Sequence, residues 1–230
     1  MTKPNLLLLH GAVGASSQFE SLTPLLSNHF QVHLLDFEGH GITPARERPF
    51  RIEHFAENVT NFIAQTNLTR IDIFGYSMGG YVALYLARTQ PGLVGRIATL
   101  GAKHVWNPEV AAREAARLDP DKIEQKAPQF AMVLAARHVA LHWRIVLSRT
   151  REMMAVMGNH SPINFGDYST IHQRTRICVG DQDSTVGIEE SLTAFRALPN
   201  GEFEVLPDTS HPFEQVPLPR LAYSLSQFFV

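Results

Sequence analysis

Residues 71–80 read Ile71-Asp72-Ile73-Phe74-Gly75-Tyr76-Ser77-Met78-Gly79-Gly80, an apolar run that enters the spacing Gly75-x-Ser77-x-Gly79 and continues into Tyr81-Val82-Ala83-Leu84-Tyr85-Leu86-Ala87. The first part has the composition of a buried strand, and the last part is a nearly all-apolar helix. A strand that turns within one or two residues into a helix forces the backbone of Ser77 into a strained conformation. It also requires small neighbours, so that strand and helix can pass closely. The Ser77 oxygen then projects above the sheet edge at the N-terminus of a helix predicted over 78–90, where backbone N–H groups have no internal partner. Such a place suits a nucleophile and the anion it generates.

The flanking sequence repeats the strand-to-helix theme. Asn5 to Leu9 is a short apolar run ended by glycine and reads as a strand buried on both faces, and Phe30 to Leu35 reads as the next strand, ended by a glycine-punctuated loop. Ser17 to Leu26 carries Phe19, Leu22, Leu25 and Leu26 at helical spacing and is expected to form one helix. Ile52 to Asn67 places Ile52, Phe55, Ala56, Val59, Phe62 and Ile63 on a single face. A strand follows at 95–100. Beyond Gly101 the alternation stops, and from about Trp106 to Gly166 only helical patterns occur, at 108–118, 120–137 and 138–157. Strands then return at 174–180 and 202–206, each followed by a helix, at 187–198 and 217–229. Strands separated by helices predict a doubly wound, mostly parallel sheet of about six strands, an α/β protein with one helical insertion over 106–166. No linker composition interrupts 1–230, so a single domain is expected.

With 230 residues, 44% apolar content and a formal charge of −2, the chain is long enough to bury one sizeable core. Its 20 basic and 22 acidic residues are interspersed, so nothing argues for a nucleic-acid partner. The single cysteine, Cys178, lies in an apolar run and reads as core. The apolar stretch Leu6 to Leu9 is too short for a leader or a membrane span, and a cytoplasmic protein without membrane insertion is expected.

The elbow and its context resemble the α/β-hydrolase superfamily, whose nucleophile sits in a Gly-x-Ser-x-Gly turn between strand and helix. The helical insertion resembles the cap of that family. The chain starts at what would be the family's third strand, which implies a six-stranded, all-parallel sheet. A serine hydroxyl needs a base, itself oriented by a third group, and the family's chain order is Ser, acid, His. Of eleven histidines, only His172 and His211 follow the insertion. His211 follows a strand, where open α/β sheets bind ligands, whereas His172 precedes one. The loop Gly180-Asp181-Gln182-Asp183 offers two carboxylates, and the resemblance favours Asp183, leaving Asp181 as a turn residue. It also implies an oxyanion hole built from the backbone N–H groups of Ala12 and Met78. His10 and His40 are expected to hold their loops.

A serine nucleophile implies hydrolysis of a small or medium carboxylic ester or thioester through an acyl-enzyme, without cofactor or metal, on a small-molecule acyl substrate. Members that resemble this chain also cleave carbon–carbon bonds or act as lyases with the same triad, and a small-molecule receptor with vestigial hydrolysis is a third reading. Trp106, Phe130, Trp143 and Met154 are the candidates within the insertion for lining an acyl pocket. The insertion is expected to set substrate choice and to leave the chemistry to the sheet.

Overall fold

A computed structural model describes residues 3–230. Its centre is a six-stranded sheet in the order β2-β1-β3-β4-β5-β6, every neighbouring pair parallel. The strands are β1 (Asn5–Leu9), β2 (Gln31–Leu35), β3 (Ile71–Tyr76), β4 (Val94–Leu100), β5 (Thr175–Gly180) and β6 (Gly201–Leu206). The chain runs outward from β1 to β2, then returns to lay β3 on the other side of β1. The sheet order therefore switches direction between β1 and β3, and in such folds the crevice beyond the carboxyl ends of those strands is where ligands bind.

Strand β1 shows why an unbroken apolar run belongs in this position. Leu7 and Leu9 enter the core on one face, while Leu6 and Leu8 enter the core on the other, and all four are fully buried. The first core is covered by α2 (Ile52–Gln65) and α3 (Met78–Thr89), whose Phe55, Val59, Val82 and Leu86 pack onto the sheet. The second is covered by α1 (Thr23–Leu26) and the C-terminal helix α10 (Leu218–Phe229), through Leu26, Leu225, Phe228 and Phe229.

Between β4 and β5 lie five helices: α4 (Pro108–Arg117), α5 (Pro120–Lys126), α6 (Pro128–Arg137), α7 (Trp143–Asn159) and α8 (Phe165–Tyr168). The remaining helix, α9 (Ile188–Ala197), connects β5 to β6.

Three helical expectations change. The segment 17–26 is a 3-10 turn at Ser16–Phe19 followed by the short α1, because Pro24 can occupy only the first turn of a helix. The segment 120–137 is two helices, since Ala127 precedes Pro128 and is pushed out of the helical region, to φ −140° and ψ 59°. The segment 138–157 is helical only from Trp143. Residues 138–142 are drawn away by Val139 and Ala140, whose N–H groups both donate to the carbonyl of Gly41. Helix α8 has no counterpart among the expected helices, and it starts at a reciprocal cap between Asn164 and Asp167.

Candidate active site

Ser77 stands at the end of β3, at φ +50° and ψ −116°, a region that L-residues avoid unless their surroundings hold them there. The surroundings are tight backbone contacts. A Cβ on Gly75 would come 2.4 Å from the Gly80 nitrogen, and one on Gly79 would come 2.2 Å from the Leu9 carbonyl oxygen. Only glycine allows α3 to pack this close behind β3 and β1. The turn is closed by the Gly80 and Tyr81 N–H groups, both donating to the Ser77 carbonyl, while Ser77 N–H donates to the Leu100 carbonyl of β4.

The Ser77 Oγ lies 3.3 Å from His211 Nε2, and His211 Nδ1 lies 2.8 Å from Asp183 Oδ2. The carboxylate fixes the tautomer: the Nδ1 proton faces Asp183, so Nε2 is bare towards the serine. The other oxygen of Asp183 accepts the N–H groups of Thr185 and Val186, each at 2.8 Å. Asp181 faces the other way and accepts the Thr209 N–H at 3.0 Å, which ties the loop after β5 to the loop carrying His211. Those backbone bonds hold the Asp181 carboxyl below its usual range. The His211 loop is fastened again by Tyr76, whose hydroxyl donates to the His211 carbonyl at 2.7 Å. Burial pushes the Tyr76 hydroxyl well above its usual range, so it stays protonated and remains a donor.

Ala12 and Met78 both border the cavity at Ser77. The loop bearing Ala12 is pressed against the serine, for a Cβ on Gly11 would come 3.2 Å from Ser77 Cβ. Among the described residues, neither Ala12 N–H nor Met78 N–H donates to a protein acceptor. His10 and His40 are buried behind this loop. Phe37 N–H donates to His10 Nε2, so the Nδ1 proton of His10 is the one that reaches the Gly11 carbonyl at 2.8 Å. His40 stacks on Phe50 and contacts the Glu38 carbonyl through Nδ1 at 3.2 Å. His172 is exposed and lies at the start of β5, away from the strand ends that carry Ser77.

The serine opens into a cavity of about 660 Å³ between the strand ends and the insertion. Trp106, Phe130 and Met154 border it. Trp143 does not: as the first residue of α7 it is 5% exposed and packed into the core, its indole covered by the Arg144 guanidinium 5.6 Å away. The α7 residues that do reach the cavity are Met153, Met154 and Met157.

The cavity also has polar walls that the sequence patterns do not mark. Lys103, three residues beyond β4, is buried, donates to the Thr185 carbonyl at 2.7 Å, and lies 3.6 and 3.9 Å from Glu190 and Glu114. Its position just past a strand end was the available signal. Arg137 pairs with Glu214 at 2.8 Å across 77 residues of sequence, and no local pattern points to that pairing. Among the described residues, no cluster of three or more His, Cys, Asp or Glu side chains could hold a metal ion, and no helix is long and apolar enough to cross a membrane.

A family profile described as alpha/beta hydrolase fold matches residues 4–162, from the start of β1 into the end of the insertion. The chain is 24% identical over 235 residues to the sn-1-specific diacylglycerol lipase ABHD11 of Danio rerio, covering 90% of this chain and 72% of that one. It is 33% identical over 100 residues to a pyrrolizixenacetamide deacetylase of Xenorhabdus hominickii, covering 43% of this chain and only 38% of the relative. A third relative, a pimeloyl-[acyl-carrier protein] methyl ester esterase of Xanthomonas campestris, is 36% identical over 88 residues, 38% of this chain and 33% of that one. Among solved structures, the enol-lactonase of Burkholderia xenovorans superposes with a TM-score of 0.80 at 19% identity, over 100% of this chain and 92% of that one. The profile match covers well over half of the chain, and with the six-stranded parallel sheet built around the Ser77 turn it shows that the chain belongs to the α/β-hydrolase fold family.

Proposed function

We propose that the protein is a serine hydrolase that cleaves a small or medium carboxylic ester or thioester through an acyl-enzyme. The observation that carries this reading is the relay from Ser77 Oγ to His211 Nε2 at 3.3 Å and from His211 Nδ1 to Asp183 at 2.8 Å, opening onto a cavity with an extensive apolar lining. His211 takes the Ser77 proton as the hydroxyl attacks the acyl carbon, then returns it to the leaving alcohol or thiol. Asp183 holds the imidazole in its tautomer and stabilises the imidazolium. The N–H groups of Ala12 and Met78, the latter at the N-terminus of α3, receive the charge that develops on the carbonyl oxygen. Water then repeats the sequence on the acyl-enzyme, with His211 again as base. The relatives named as a lipase and a methyl ester esterase support ester over other acyl bonds.

The test is an activity profile of the purified protein across esters, thioesters and lactones, with fluorophosphonate labelling of the same sample. Labelling at Ser77 and ester turnover, both lost in Ser77→Ala, are expected. A folded protein that leaves Ser77 unlabelled sinks the reading, and tight ligand binding without turnover points to a receptor.

A second reading, hydrolysis of a carbon–carbon bond in an acidic ketone, is favoured by the charged groups Lys103, Arg117 and Arg137 on the cavity wall. Each is already engaged by a carboxylate of Glu114, Glu190 or Glu214, which leaves the ester reading ahead. Turnover of a vinylogous diketone acid in preference to every ester reverses that order.

A further inference from the structure

The helical insertion meets the loop that follows β1 at the end of one of its helices. Helix α6 ends at Arg137, and its next residue, His138, is buried against the loop that follows β1. The Gly41 N–H donates to His138 Nδ1 at 3.2 Å, so the ring proton is on Nε2, which donates to the Val13 carbonyl at 3.0 Å. Arg137 Nη1 reaches the same carbonyl at 3.4 Å, while its Nη2 holds Glu214 at 2.8 Å, three residues past His211. Val13 is itself unusual, with φ +53°, a left-handed conformation that branched side chains strongly disfavour. The turn from Gly11 to Gly14, closed by Gly14 N–H donating to the Gly11 carbonyl, depends on that conformation.

We infer that His138 and Arg137 are positioning residues: by holding the Val13 carbonyl they keep the strained turn closed and so aim the Ala12 N–H at the oxyanion. The inference rests on the serine-hydrolase reading and adds to it that the insertion, beyond shaping the cavity, completes the oxyanion hole. A helix end seated on the loop supplies donors, and a loop left to itself relaxes out of the left-handed conformation and turns the Ala12 N–H away. Removing one oxyanion donor outright typically costs about 10²–10³ in rate, and misaiming one costs a part of that.

The experiment compares His138→Leu, which removes both ring hydrogen bonds at similar volume, with His138→Gln, whose amide can accept from Gly41 and donate to Val13. Each is made in the wild-type and Val13→Gly backgrounds, because glycine adopts a positive φ freely and makes the turn independent of its clamp. Turnover of a chromogenic ester is normalised to the Ser77 sites that a fluorophosphonate labels, and inhibition by a boronic acid reports tetrahedral-adduct binding.

His138→Leu is expected to lower kcat per labelled site by about 10–100-fold with KM within about twofold, and to weaken boronic acid inhibition in step. His138→Gln should stay within about threefold of wild type, and Val13→Gly should shrink the loss from His138→Leu to a similar factor. If His138→Leu does not fold, Arg137→Met, on a side chain that reaches the cavity wall, is expected to lower kcat several-fold and to be rescued by Val13→Gly. Wild-type kcat per labelled site in His138→Leu, equal losses in Leu and Gln, or no rescue by Val13→Gly overturns the inference while leaving the triad intact. A wild-type protein that neither labels nor turns over overturns both.

Discussion

Asp183 Oδ2 sits 2.8 Å from His211 Nδ1 across 28 residues of sequence, and the same carboxylate is held from behind by two backbone N–H groups. Asp181, in the same loop, spends its side chain on the Thr209 backbone. The two substitutions to asparagine should therefore differ widely. In Asp183→Asn the amide can present its NH₂ to His211 Nδ1, which favours the wrong tautomer and puts the proton towards Ser77, so kcat should fall by roughly 10³–10⁴-fold. Asp181→Asn keeps an oxygen for the Thr209 N–H and should stay within about tenfold. Steady-state kinetics on one ester decide it, and equal losses would show that Asp181 does more than fasten the loop.

Gly101 makes the same pair sensitive from a third direction. It follows β4 at φ +61°, and a Cβ there would lie 3.0 Å from Asp183 Oδ2 and 3.2 Å from His211 Nδ1. Gly101→Ala should cost about 1–2 kcal/mol of stability for the left-handed backbone. It should lower kcat by a further, separable factor of about 10–100, because the methyl crowds the His–Asp pair by a few tenths of an ångström. Urea unfolding and kcat measured on the same preparation check both parts. A variant that is destabilised but turns over normally would show that the pair can shift without losing alignment.

The parts of this molecule legible in its sequence are those written in short-range chemistry. The Gly75-x-Ser77-x-Gly79 turn, the doubly buried Leu6–Leu9 run and the regular strand spacing each follow from local patterns, and the family profile and the sheet topology agree with the α/β expectation. The helix boundaries that moved, at Pro24 and Pro128, were also local, and the rule that a residue preceding proline leaves the helical region was sufficient to place the second break. What lay out of reach are pairings between distant segments. Arg137 with Glu214, His138 with Val13, and Lys103 among Glu114 and Glu190 meet only in the folded chain. Trp143 shows the same limit from the other side, since large aromatic residues suit a core and a pocket equally well and only the orientation of α7 decides.

Four buried histidines give stability a pH dependence of definite sign. Burial pushes His10 and His104 down to about 3, and it lowers His40 and His138 as well. Unfolded histidine titrates near 6.5, so below that pH the unfolded chain binds protons that the folded chain refuses. Stability then falls as pH drops from about 6.5 towards 3. Each group with a folded value near 3 should remove about 2 kcal/mol by pH 5. Carboxylates such as Glu38 and Glu202, held low by arginines that outweigh their burial, begin to lose their contribution only below about pH 4.5, so between about pH 6.5 and 4.5 the loss comes from the histidines and not from these carboxylates. The urea midpoint should drop clearly between pH 7.5 and 5. His104→Asn, which can keep the hydrogen bond with the Tyr168 hydroxyl, should flatten the slope by about 1.4 kcal/mol per pH unit. An unchanged slope in that variant would mean His104 protonates in the folded state without cost.

Substitutions within the insertion should divide according to which surface each residue faces. Trp143 is packed in the core and does not border the cavity, while Met154 and Phe130 border it and Phe130 is 40% exposed. Trp143→Ala should cost about 3–5 kcal/mol of stability and leave the ratio of kcat/KM for medium- and short-chain esters unchanged in the protein that remains folded. Met154→Ala and Phe130→Ala leave most of the core packing in place, so their unfolding midpoints should move little. Both remove apolar wall from the cavity, and a flexible methionine wall lets several acyl shapes fit, as the neighbouring Met153 and Met157 also do. The kcat/KM ratio should therefore shift against the medium-chain ester by about 1–3 kcal/mol for each methylene of the acyl chain left without a wall to pack on, roughly 10–200-fold. Measuring the two esters on all three variants, with urea midpoints alongside, tests the division. If Met154→Ala and Phe130→Ala keep the wild-type ratio while Trp143→Ala changes it, the acyl chain packs on neither Met154 nor Phe130 and the division between core and cavity residues fails.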